Sequence, residues 1–138
     1  PAITPSFQGK VRHWISDTEN LLAKAPYQKA ITTFSKADNG SANPNEKEKL
    51  FARQTIKEFN QLISNYPNCI YVDHGLASIG TAHEILNEWE GAIVVYNQLI
   101  ARYKNSTPTD PNTKKFLHHA KTRLEAIETF LFQQKRFE

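Results

Sequence analysis

Apolar residues recur every three or four positions along almost the whole chain, which is the spacing of helices with one buried face. Phe7, Val11, Trp14, Ile15, Thr18, Leu21, Leu22 and Ala25 fall on one stripe and predict a first helix, closed by Pro26. Tyr27, Ala30, Ile31, Phe34 and Ala37 predict a short second helix. Asp38-Asn39-Gly40-Ser41 has turn chemistry. Asn43-Pro44 followed by Glu46 then has the pattern of a helix start: a capping amide, a proline in the first turn and a carboxylate that reaches back. The third helix is predicted from Glu46 to Asn65, with Phe51, Thr55, Phe59, Leu62, Ile63 and Tyr66 on its apolar side. A fourth begins near Asp73 and carries Leu76, Ile79, Gly80, His83 and Leu86; a fifth carries Trp89, Ala92, Ile93, Tyr96, Leu99, Ile100 and Tyr103. After a polar loop over 105–112, in which Asp110-Pro111 is another cap signal, a sixth holds Phe116, Leu117, Ala120, Leu124, Ile127, Phe130 and Leu131. No segment alternates as a strand does. The expectation is a single all-α domain over residues 1–138, about three helical hairpins stacked side by side.

One phrase occurs twice. Phe59-Asn60-Gln61-Leu62-Ile63-Ser64-Asn65-Tyr66 is echoed by Tyr96-Asn97-Gln98-Leu99-Ile100-Ala101-Arg102-Tyr103, at an offset of 37 residues. Self-similarity at a period of this size marks stacked helical repeats, whose extended surfaces bind other chains. Within Asp73–Ser106, Gly80 and Ala92 are small where two helices must touch. Tyr96, four residues after Ala92, is large where a side chain must wedge into the neighbouring hairpin.

On those residues the stretch from Asp73 to Ser106 resembles a tetratricopeptide repeat, a helix–turn–helix unit of 34 residues. Arg12 to Asn45 resembles a weaker copy, through Trp14, Ala30, Phe34 and Ala37. A narrower phrasing runs through Tyr66-Pro67-Asn68-Cys69-Ile70-Tyr71, Leu76–Gly80, Trp89-Glu90-Gly91-Ala92-Ile93 and Tyr96–Ser106. It is similar to the repeats of bacterial cell-envelope proteins, the outer-membrane barrel-assembly lipoproteins and the periplasmic coordinator of the Tol–Pal system among them. Cys69 stands where serine is usual, Asn87-Glu88-Trp89 replaces a Gly-Asp-Tyr turn, and Lys104 replaces a second proline. The resemblance implies a right-handed α-solenoid and a location at the periplasm or outer-membrane periphery.

It also implies a concave groove lined by the first helix of each hairpin. By register His74, Ala77, Thr81 and Glu84 face it, with Arg12, Ile15 and Glu19 from the first helix and Lys115, His118 and Thr122 from the last. Ala77 and Thr81 occupy two positions where chaperone-binding relatives place carboxylate-clamping lysines and asparagines, which argues against that clamp. A groove of mixed His, Arg and Glu suits an extended or helical protein segment. The C-terminal helix offers a second surface. Phe130, Leu131 and Phe132 are consecutive and cannot share one face, so together with Phe137 they predict docking against another chain.

Composition narrows the function further. Seventeen Lys and Arg against 14 Asp and Glu give a net charge of +3, scattered rather than striped, so nucleic acid is not the expected partner. Cys69 is the one cysteine and has no internal disulfide partner. Methionine is absent and the chain opens at Pro1, which points to a processed or trimmed chain. His118 and His119 project about 100° apart on a helix and are poor co-ligands for one metal. His83 reads as a packed histidine, and Glu84 with Glu88 reads as a solvated i, i+4 pair. Haem, phosphate-loop and nucleophile-elbow motifs do not occur, so neither cofactor nor small-molecule substrate is expected. The function expected is a non-enzymatic scaffold for protein partners in an envelope or membrane-associated complex. The alternative is an accessory subunit of a larger assembly that leaves its groove empty.

Overall fold

The computed structural model describes residues 4–136. They form five helices in chain order: α1 (Pro5–Ala37), α2 (Glu46–Asn65), α3 (Val72–Ile85), α4 (Trp89–Ala101) and α5 (Pro111–Arg136). Each helix packs on the next, and α3 also touches α1 and α5. Central α3 is therefore buried along most of its length, from Val72 through Ala82. The architecture is all-α, as the helical periodicity predicts, and no strand occurs among the described residues.

The core is built from the doubled phrase. Phe59 and Leu62 of the first copy and Tyr96 and Leu99 of the second are buried together with Leu76 and Ile79. Each such side chain contributes about 1.5–3 kcal/mol on burial. The helix contacts are close because glycine permits it. A Cβ on Gly75 would lie 3.0 Å from Phe59 Cδ1, and one on Gly80 would lie 2.3 Å from Tyr96 Cε1. The α3–α4 turn is made by Asn87, whose φ of 57° is left-handed. Asparagine accepts that conformation more readily than most residues, so it serves where related turns place glycine.

The first two predicted helices are one. α1 runs unbroken through Pro26. Proline has no N–H for the carbonyl of Leu22, but Leu22 and Pro26 are exposed, so water can satisfy that carbonyl. The apolar stripe changes sides there. Beyond Pro26, Ala30 is buried, and Tyr27, Ile31 and Phe34 pack against the core. Before Pro26 the stripe faces solvent, with Trp14 70% and Leu21 79% exposed. The inward face of this half is polar and bound to the α2–α3 loop. Ser16 Oγ donates to the Asn68 carbonyl at 3.1 Å, Asn68 N–H donates to Glu19 Oε2 at 2.7 Å, and Ile70 N–H donates to Asn20 Oδ1 at 2.7 Å.

The predicted cap of α2 also moves. Asn45, not Asn43, is the N-cap: its Oδ1 accepts from Glu48 N–H at 2.8 Å, and Glu48 Oε1 accepts from Asn45 N–H at 3.3 Å. The pattern occurs twice, two residues apart, each copy with a glutamate three residues on, and the helix starts at the second. At α5 the prediction holds, with Asp110 Oδ2 accepting from Thr113 N–H at 3.2 Å.

Candidate functional site

Helical spacing puts His74, Ala77, Ser78 and Thr81 on one side of α3, where they floor a cavity of about 270 Å³. Phe34 and Asp38 at the end of α1 form one wall; Lys115, Phe116 and His119 of α5 form the other. Past Thr81 the hollow continues along Glu84, Trp89 and Arg123 toward Pro44.

His74 is the centre of an aromatic array. Its ring stacks on Phe116 at 4.6 Å and 9°, and its Nδ1 shares a 2.7 Å hydrogen bond with the Tyr27 hydroxyl. Tyr27 in turn stacks on Tyr71 at 3.9 Å. Burial pushes His74 below the ordinary histidine range, so the groove floor holds a neutral imidazole at physiological pH. Ser78 is buried beside it, and its Oγ has no hydrogen-bond partner.

The far end is tied by a carboxylate. Glu84, with its side chain 13% exposed, receives Arg123 from α5 through Nη2 at 2.6 Å and Nε at 3.1 and 3.2 Å. It also accepts the Tyr96 hydroxyl of α4 at 2.6 Å. Burial, then the Glu84 hydrogen bond, hold the Tyr96 phenol far above its ordinary value. His119 Nε2 lies 3.2 Å from Thr81 Oγ1, and burial lowers its basicity chiefly, against the opposing pull of Glu84. One carboxylate thereby joins α3, α4 and α5. Glu84 is not half of a solvated pair, because α3 ends at Ile85 and Glu88 lies beyond it. Glu88 Oε1 instead sits 2.9 Å from His83 Nδ1, so the packed His83 has a partner.

Of the residues predicted to line the groove, His74, Ala77, Thr81, Glu84 and Lys115 do so. His118 and Thr122 point to solvent. α5 is rotated by one residue from the expected register and presents Phe116, His119 and Arg123. Arg12, Ile15 and Glu19 lie elsewhere. Arg12 and Ile15 border a separate hollow against Pro67, Cys69 and Arg102, and Glu19 holds the α2–α3 loop. The residues that α1 does supply come from the half beyond Pro26, which the sequence presents only as a short apolar helix. Cys69 is buried, and that burial raises its thiol pKa.

At the C-terminal surface the three adjacent side chains separate. Leu131 packs against the core, which removes it from the docking set. Phe130 meets the Trp89 ring at 5.4 Å, and Phe132 is 69% exposed. Phe137 lies outside the described residues. Among the described residues no three His, Cys, Asp or Glu side chains gather as a metal site, and no helix is long and apolar enough to cross a membrane.

Residues 79–106, from the second half of α3 through the turn after α4, match the tetratricopeptide repeat family. Neither the curated proteins nor the solved structures contain a match to the chain. Tetratricopeptide repeats in general mediate protein–protein contact. The repeat match over residues 79–106 and the five packed helices together make the fold an all-α, tetratricopeptide-like helical repeat.

Proposed function

We propose that the protein is a non-enzymatic interaction module that holds a segment of a partner protein in the groove between α1, α3 and α5. One observation carries this: the cavity over His74 is walled by aromatic faces and floored by small residues. Charge is confined to its rim, in Lys115 and Asp38. That is a receptacle for an apolar or aromatic peptide side chain. A setting in a bacterial envelope complex, at the periplasm or outer-membrane periphery, is part of the proposal and is supported by the phrasing of residues 59–106.

A random-peptide display selection against the whole chain tests it, with counter-selection on a His74→Ala, Lys115→Glu variant. Peptides that bind the native chain and lose most of their affinity for the variant support the groove. Peptides indifferent to both substitutions overturn it. A second role, as an accessory subunit docked through the end of α5, is favoured by the exposure of Phe132 beside Phe130. Its discriminating variant is Phe132→Ser, which should release the partner while leaving groove peptides bound.

A further inference from the structure

The solvent-facing stripe of α1 has a regular spacing. Phe7, Val11, Trp14, Thr18, Leu21 and Ala25 are separated by four, three, four, three and four residues, the a/d seam of a coiled coil. Ile15 and Leu22 widen it on one side. The stripe is not exposed through a misplaced helix, because the Ser16, Glu19 and Asn20 hydrogen bonds fix the opposite face inward. Thr18, the polar member, donates its hydroxyl to the Trp14 carbonyl at 2.8 Å and brings no unsatisfied group to the seam.

The charges beside the seam select what covers it. Lys10, Asp17 and Lys24 occupy three successive g positions and alternate in sign. A bilayer of anionic lipid rewards charge of one sign, and Asp17 opposes it at the middle of the stripe. A second copy fits no better. Parallel pairing sets Lys10 and Asp17 against the apolar Ile15 and Leu22 of the other copy, and Lys24 against its Lys29. Antiparallel pairing along the full seam sets Lys10 against Lys24 and Asp17 against Asp17. Shifting by one heptad pairs opposite charges but leaves two seam residues at one end uncovered. We propose that the seam docks an amphipathic helix of a different protein. That helix carries its own a/d apolar stripe flanked by acidic, basic and acidic residues opposite Lys10, Asp17 and Lys24.

The test uses the whole chain and two synthetic helical peptides with one shared apolar seam. One has Glu, Lys and Glu at the three flanking positions; the other has Lys, Glu and Lys. Trp14 fluorescence and calorimetry report binding. The Glu-Lys-Glu peptide is expected to bind at least about tenfold more tightly than its reverse. The preference should invert in the Lys10→Glu, Asp17→Lys, Lys24→Glu chain. Leu21→Gln should abolish binding without changing the melting temperature, since Leu21 touches little of the fold. Equal binding of both peptides, or of neither, overturns the proposal. So does sedimentation showing a dimer that Leu21→Gln dissolves, or flotation with phosphatidylglycerol vesicles that Leu21→Gln prevents. None of these outcomes bears on the groove over His74, which the seam variants leave intact.

Discussion

Gly80→Ala is a one-methyl change whose sign depends on the packing of Tyr96. Intrinsic propensity favours alanine in the middle of a helix by about 0.8–1 kcal/mol. The new methyl, however, would meet Tyr96 Cε1 at 2.3 Å, Cζ at 2.6 Å and Cδ1 at 2.8 Å. The ring has no slack, being fully buried and anchored through its hydroxyl on Glu84. Overpacking of this kind costs about 1–3 kcal/mol. Pulling the hydroxyl off a carboxylate costs about 1.5 kcal/mol more. The net expectation is a loss of about 2–3 kcal/mol, or a melting temperature lower by roughly 8–12 °C for a chain this size. Urea titration followed by far-ultraviolet circular dichroism measures it. A double-mutant cycle with Tyr96→Leu isolates the cause. Leucine keeps apolar bulk but removes the ring edge, so Gly80→Ala should be nearly neutral in that background, a coupling of about 2 kcal/mol. A stabilised Gly80→Ala chain, or strictly additive effects, would refute the wedge.

Three further outcomes are expected. His74 and His119 are both held below the ordinary value of 6.5 by burial, so between that value and their lower folded values the unfolded chain binds more protons. Stability should be full above about pH 6.5 and fall as the solution is acidified below it. The His74→Gln, His119→Gln chain should show a flatter melting-temperature profile from pH 7 to pH 5. Pro26→Ala restores the N–H that the Leu22 carbonyl lacks and should raise stability by about 1–3 kcal/mol in the same urea titration. Asn45→Ala should cost about 1 kcal/mol by removing the Oδ1 acceptor of the Glu48 N–H, while Asn43→Ala should stay within about 0.3 kcal/mol; equal losses would contradict the cap.

The repeated phrase made the middle of the fold legible. Phe59, Leu62, Tyr96 and Leu99 recur at equivalent places because each copy must fill the same gap between neighbouring helices, and Gly80 is small because Tyr96 is large. α1 was less legible for two physical reasons. An apolar stripe does not say which way it faces, and a proline does not stop a helix where water can reach the carbonyl it orphans. The groove was legible along α3, where its spacing from the doubled phrase sets the register. On α5, a one-residue rotation exchanged His118 for His119 and brought in Phe116 and Arg123. The ion pair of Arg123 with Glu84 spans 39 positions and carries no local pattern at all.

Because α1 passes through Pro26 without a break, it is a rod of about 50 Å at 1.5 Å per residue. Its outward seam lies on one side of that proline and the groove wall at Phe34 on the other. Phe34 stands about 12 Å beyond Pro26, so a tilt of about 5° about that point carries its ring roughly 1 Å across the cavity mouth. Such a displacement is comparable to the tolerance of a close-packed contact. One continuous helix thus carries two separate surfaces, the outward seam before Pro26 and the groove wall beyond it.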